Sequence, residues 1–369
     1  MKSSLCSQKY VLCLDVVQII CDFCDLKTQI NLIKTCKEYE ENLKIKKLTC
    51  TDEINPQITQ EILQQKKFNQ LRYLDASKNE KLINVNHLKN TLIELYCDDR
   101  YCGIRQAGIN KLRKLQKLNA HDNKNITNVN HLKDTLLELY CGGECGIRQK
   151  GINDLRKLQK LNVFRNNNIT NVNHLKDTLI ELYCGECGIQ QKGINELRNL
   201  QKLYTWNNKK ITNVNHLKDT LLELDCSYNN NRYDDDDYDY DDDYDDNSCG
   251  MRQEGINELR KLRKLDAGNN EKITNVNHLK DTLIELNCSG NCGIHQEGIN
   301  GLRKLQKLYA SYNNKIKDVN HLKDTLMELD CGKLCGITQE GINGLRKLQK
   351  LDASNNNKIT HVNHLINKN

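Results

Sequence analysis

The feature that most constrains this chain is a recurring dipeptide. Gly-Ile returns at Gly108, Gly151, Gly193, Gly255, Gly298 and Gly341, at intervals of 43, 42, 62, 43 and 43 residues. A fixed period of this size signals stacked units, because one copy is too short to bury its apolar face and must bury it against the next. The single long interval marks a unit with roughly 20 inserted residues. A chain of 369 residues would otherwise suggest two or three ordinary domains, but a stack grows without separate cores.

Each unit divides into two halves that begin alike. The first runs Leu115-x-x-Leu118-x-Ala120-x-x-Asn123-x-x-Ile126-x-x-Val129-x-x-Leu132. The second runs Leu136-x-x-Leu139-x-Cys141 and continues through Cys145, Ile147, Ile152 and Leu155. Both resemble the leucine-rich repeat, L-x-x-L-x-L-x-x-N/C-x-L, and the second is similar to the cysteine-containing subtype common in F-box proteins. A propeller blade shares the period but needs four alternating strands, for which there is no room. First-type coils begin at Leu71, Leu115, Leu158, Leu200, Leu262, Leu305 and Leu348, and second-type coils at Leu92, Leu136, Leu179, Leu221, Leu283 and Leu326. Lys47-Leu48-Thr49-Cys50 reads as a degenerate further coil.

The resemblance implies an α/β fold, a leucine-rich-repeat solenoid with a curved parallel β-sheet on the concave face and short helices and turns on the convex face. The expected organisation is a helical F-box-like segment over 1–44, a linker and degenerate capping repeat over 45–70, and repeats over 71–369 with an Asp/Tyr insertion at 230–247. In each coil the L-x-L segment is a short strand with alternate residues inward, and successive strands stack in parallel about 4.8 Å apart. Asn79, Asn123, Asn166, Asn208, Asn270, Asn313 and Asn356 share one position, where a side-chain amide can bond backbone left over where the ladder stops.

Composition excludes several classes. With 37% hydrophobic and 28% charged residues and the single proline Pro56, the chain is too apolar for disorder and too polar for a membrane protein. Lys2 before the apolar run Tyr10 to Phe23 imitates a secretory signal, but Asp15 interrupts the run and no small-residue cleavage site follows, so a folded helix is expected. Most of the 18 cysteines recur at fixed repeat positions, which points to small buried side chains in a reducing compartment, the cytoplasm with the nucleus left open.

Cys184-Gly-Glu-Cys187 has zinc-like spacing, yet its counterparts Cys97/Cys102, Cys141/Cys145, Cys288/Cys292 and Cys331/Cys335 drift in spacing, and metal geometry would not tolerate that. Seven of the ten histidines, His87, His131, His174, His216, His278, His321 and His364, occupy one position, each in Val-Asn-His-Leu. A catalytic histidine is not duplicated in this way, so a turn residue is expected. There is no phosphate loop, nucleophile elbow or H-E-x-x-H, and neither cofactor nor metal nor enzymatic activity is expected.

The net charge is +6, but ten Asp fall within Tyr233–Asp246 and leave 39 acidic side chains against 55 basic ones elsewhere, a net +16. The acidic insertion reads either as a tolerated expansion or as an arm for a basic partner surface. One strand position alternates Lys117, Glu138, Lys160, Glu181, Lys202, Glu223 and onward to Lys350, which cancels much of the positive charge and argues against nucleic acid as the partner. Two residues further along each strand the series varies and is rich in tyrosine, and the next outward position adds His121, Phe164 and Trp206. Aromatic anchors at solvent-facing positions favour a protein-binding patch, expected at Tyr140, Phe164, Tyr183, Tyr204 and Trp206.

Residues 11–43 have helical rather than repeat periodicity, with Asp25 and Thr28 as cap candidates between two short helices. The run Leu12, Leu14, Val16-x-x-Ile19-Ile20-x-x-Phe23, Asp25-Leu26-x-x-x-Ile30-x-Leu32 and Cys36-Lys37-x-Tyr39 resembles an F-box, departing from it at Cys13, where proline is usual, and at Tyr39, where tryptophan is usual. The resemblance implies that Leu12, Leu14, Val16, Ile19 and Ile20 dock a Skp-type adaptor of a cullin–RING ubiquitin ligase while the repeats hold a protein substrate. The alternative is a stand-alone repeat scaffold with a helical cap. Asn-, Lys- and Ile-rich, proline-poor usage and near-identical repeats resemble repeat proteins of large DNA viruses and amoeboid protists.

Overall fold

The computed structural model describes residues 13–49, 57–228 and 249–362. The chain divides into two compact units, Met1–Leu155 and Arg156–Asn369.

The first unit opens with three helices, α1 (Leu14–Phe23), α2 (Leu26–Ile33) and α3 (Lys37–Asn42). Two had been expected; the segment after Cys36 forms a third. Asp25 caps α2 as its sequence position suggested, its carboxylate accepting from the Thr28 N–H at 2.9 Å. Five parallel strands follow in order: β1 (Lys47–Thr49), β2 (Tyr73–Asp75), β3 (Glu94–Tyr96), β4 (Lys117–Asn119) and β5 (Glu138–Tyr140). The degenerate coil at Lys47 therefore supplies a true edge strand.

The second unit continues the pattern with nine strands: β6 (Lys160–Asn162), β7 (Glu181–Tyr183), β8 (Lys202–Tyr204), β9 (Glu223–Asp225), β10 (Lys264–Asp266), β11 (Glu285–Asn287), β12 (Lys307–Tyr309), β13 (Glu328–Asp330) and β14 (Lys350–Asp352). Each pairs in parallel with the next at constant register, leucine against leucine. Between strands the chain returns through single turns of 3-10 or α helix, such as Asn215–Leu217. The fold is the leucine-rich-repeat solenoid.

Three ladders of side chains explain why so short a strand suffices. The central leucine of every strand from β1 to β13 is at most 2% exposed, and burying such a side chain contributes about 1.5–3 kcal/mol. The recurring asparagines are buried and saturated: Asn313 Nδ2 donates to Cys288 O at 2.8 Å and Ile294 O at 3.1 Å, while its Oδ1 accepts from Lys315 N at 2.9 Å. A second amide ladder, not anticipated, runs through the Gln before each Gly-Ile: Gln253 Oε1 accepts from Thr274 N and Asn275 N, and its Nε2 donates to Asn275 O.

The glycine of that dipeptide is required by contact. A β-carbon at Gly255 would stand 2.1 Å from Thr212 O of the preceding coil. The histidine row is structural as well, with His131, His216, His278 and His321 placing Nε2 3.0–3.1 Å from the carbonyl of the Ile in the preceding Gly-Ile. Burial lowers the pKa of these four rings and of His87. His364 lies outside the described residues.

Candidate binding surface

Four of the five expected patch residues come together in the second unit. The coils of β6, β7 and β8 each leave their strand by a turn whose second residue is left-handed: Arg165 has φ 58°, Glu186 φ 46° and Asn207 φ 54°. Left-handed backbone costs a non-glycine residue about 1–2 kcal/mol, and here the three side chains tie one another down. Glu186 accepts from Arg165 Nε and from Asn207 Nδ2, both at 2.8 Å. The first residues of these turns, Phe164, Gly185 and Trp206, thus share one row on consecutive coils.

The Phe164 and Trp206 rings meet at 4.4 Å between centroids although a coil lies between them. They can do so because the intervening residue is Gly185, where a β-carbon would lie 2.9 Å from indole carbons of Trp206. Phe164 and Trp206 were expected as solvent-facing anchors. They are half-buried, and each is the other's partner. The Arg165 guanidinium adds a cation over the Phe164 ring at 5.0 Å.

Beside this pair Tyr183 and Tyr204 stack face to face, 4.2 Å apart and 5° from parallel. Their hydroxyls donate to carboxylates, Tyr183 to Glu181 in a short hydrogen bond and Tyr204 to Glu223 at 3.0 Å. Burial first and these glutamates second push the Tyr183 phenol up and the Tyr204 phenol to about 12, so both remain protonated donors. The glutamates belong to the alternating row, in which Lys160 pairs with Glu181 at 2.8 Å and Lys202 with Glu223 at 3.1 Å. The same pairing repeats at Lys264–Glu285 and Lys307–Glu328, and these side chains are mostly half-buried. At the far side of the patch burial and the neighbouring Asp266 raise Asp225 to about 6.

Tyr140 belongs to the first unit, on β5, where its hydroxyl donates to Glu138 at 3.2 Å under the Lys117 ammonium. The acidic insertion at 230–247 lies outside the described residues. Sequence reasoning missed the roles of Gly185, Arg165 and Glu186. The available signal was a glycine flanked, one coil to either side, by the large aromatics of its row.

The expected adaptor-binding residues form a second surface. On α1, Val16, Ile19 and Ile20 are 39%, 56% and 45% exposed and Phe23 is 88% exposed, while Val17 and Cys21 face inward. The spacing of 16, 19, 20 and 23 is one helical stripe. Leu14 is half-buried, and Leu12 lies outside the described residues. Among the described residues no group of three or more His, Cys, Asp and Glu could hold a metal ion, and no helix is long and apolar enough to cross a membrane.

No family model matches the chain, and no curated protein matches it. Solved structures do. An internalin, InlF, from Listeria monocytogenes is similar over 77% of this chain and 86% of its own, at 19% identity and a TM-score of 0.50. A leucine-rich-repeat protein from Leptospira interrogans is similar over 84% of this chain and 88% of its own, at 19% identity and a TM-score of 0.43. At 19% identity the likeness to the internalin shows the fold alone, in agreement with the parallel strand stack described above.

Proposed function

We propose that this chain is a non-enzymatic protein-interaction protein, the substrate-recognition subunit of a cullin–RING ubiquitin ligase. The α1 stripe takes a Skp-type helical adaptor, the aromatic patch of Phe164, Tyr183, Tyr204 and Trp206 takes the protein substrate, and Tyr140 on the first unit is a separate partner-binding candidate. The reading rests on one observation: among the described residues four large apolar side chains stand in solvent on one stripe of α1, whereas the other exposed large apolar side chains, Ile83, Tyr101, Ile180, Tyr312 and Leu334, are scattered over different coils. Exposed apolar clusters of this kind mark partner surfaces. Tyrosine and tryptophan at the patch suit the anchoring role that such rings play at interfaces.

The test is capture of a purified Skp-type adaptor by the full chain. Binding is expected for the natural sequence and its loss for Ile19→Asp/Ile20→Asp, with an unchanged melting curve. Failure of the intact, folded chain to capture the adaptor refutes the ligase role and leaves the stand-alone scaffold. For the patch, Trp206→Ala is expected to abolish substrate capture without touching adaptor capture.

A further inference from the structure

The row that holds Phe164, Gly185 and Trp206 continues through the second unit as Ser227, Gly268, Ser289, Ser311, Gly332 and Ser354. Large rings at one end of the row thus give way to serine and glycine at the other. Over the coils of β10 to β13 the change leaves a recess of about 550 Å³. Clefts that take small ligands hold about 300–1,000 Å³, so this one is of ligand size.

Its lining departs from that of most such clefts, which are largely apolar. Asn, Ser, Gly and Tyr line it together with a single carboxylate, Asp330, and no aliphatic or cationic side chain takes part. Some of these polar groups hold the lining in place. Asp330 Oδ1 accepts from the Gly332 N–H at 3.1 Å and from the Ser311 hydroxyl. Asn287 Nδ2 donates to Asp266 Oδ2 and its Oδ1 accepts from the Ser289 N–H, both at 3.0 Å. Others are unused: among the described residues the hydroxyls of Ser289, Tyr309 and Tyr312 and the Asn291 side-chain amide have no hydrogen-bonding partner.

Tyr312 is a second, independent sign. It has φ 62°, at the turn position where other coils of this unit place Asn207, Asn269 and Asn355. Left-handed backbone disfavours a bulky side chain, and burial does not offset the cost here, since the residue is 48% exposed. Strain of this kind collects at ligand sites. The Lys333 ammonium lies 5.0 Å from the ring centroid but forms no part of the lining.

We propose that the recess binds a neutral saccharide chain. The Tyr312 ring is the platform for the C–H face of a pyranose, and Asp330, Ser289, Asn291 and Tyr309 pair with its hydroxyls. A sugar hydroxyl both donates and accepts, so one ring can satisfy a carboxylate, an amide and hydroxyls together while its apolar face covers an aromatic one. Other ligand classes leave something unmatched. An apolar molecule would strand the polar groups, and an anion would meet the Asp330 carboxylate. An arginine side chain only donates, so it could not pair with the Asn291 N–H groups. The site lies on other coils than the Phe164 and Trp206 pair and is independent of the ligase reading.

The test titrates the folded full chain against neutral oligosaccharides of glucose, galactose, mannose and N-acetylglucosamine, each offered free and coupled to albumin. At least one chain type is expected to bind, with the free form competing; binding in either form supports the site, and the tighter form names the source. Tyr312→Asn installs the residue that suits the left-handed turn and so preserves the fold. It and Asp330→Asn should each weaken binding tenfold or more, with an unchanged melting curve. Failure of the whole panel overturns the proposal, as does binding that survives both substitutions. Capture of a tetra-arginine peptide by a chain that ignores every sugar assigns the recess to a cation and overturns it equally.

Discussion

The repeat coils and the helix α1 treat apolar side chains in opposite ways. In the coils, leucine, isoleucine and cysteine recur at inward positions and are almost wholly covered, with the polar groups between them bonded to the next coil. On α1 two inward residues hold the helix while Val16, Ile19, Ile20 and Phe23 stand out in water. The difference teaches how to read exposure here. A stack that seals itself so consistently makes an uncovered apolar stripe informative, whereas in an irregular protein the same stripe would pass as ordinary surface.

If that contrast is sound, substitutions in the two regions should separate by size of effect. The largest belongs to Leu308→Ala, which empties a site on β12 that is 0% exposed; a loss of about 2–5 kcal/mol is expected from urea unfolding. Asn313→Ala should follow at about 1–3 kcal/mol, because it strands two carbonyls and an N–H inside the stack, and an unchanged midpoint would mean that water replaces the amide.

The histidine row gives a smaller, pH-dependent effect. Burial lowers the pKa of His278 in the folded chain relative to about 6.5 in the unfolded one, so the unfolded chain binds the proton more readily. Its contribution is present above pH 6.5 and is lost as pH falls through the lowered folded value. Asp225 and Asp266, raised by burial, act in the opposite sense, so the row is isolated by comparing the natural chain with His278→Gln. The stability advantage of histidine over glutamine should shrink between pH 7 and pH 5. The smallest effect is expected on α1, where Ile19→Asp should stay within about 0.5 kcal/mol of the natural chain. A large loss there would mean that the stripe is structural, and the contrast would collapse.

Much of this was legible in the sequence, for a physical reason. Residues that repeat at one position meet their own copies on the next coil, so the leucine, asparagine and Lys/Glu rows could be read as contacts before any coordinates. Even the weak coil at Lys47-Leu48-Thr49 was recoverable, since its single inward leucine continues the row. Reading failed where the contact departs from nearest neighbours. Phe164 and Trp206 are 42 residues apart and touch only because the coil between them offers no side chain. The third helix was missed because α3, KEYEEN, buries no residue and leaves no apolar period to detect.

The alternating Lys and Glu row has a consequence for how such a chain can change length. Lys202 faces Glu223, Glu223 faces Lys264 and Lys264 faces Glu285, so the pairing has a parity. Removing one coil would set lysine against lysine or glutamate against glutamate and would abut two coils of the same type, whereas removing two restores every neighbour. Gene duplication or contraction that preserves the stack must therefore proceed in two-coil steps of about 43 residues, the interval the Gly-Ile dipeptide records. An engineer lengthening the molecule inherits the same rule.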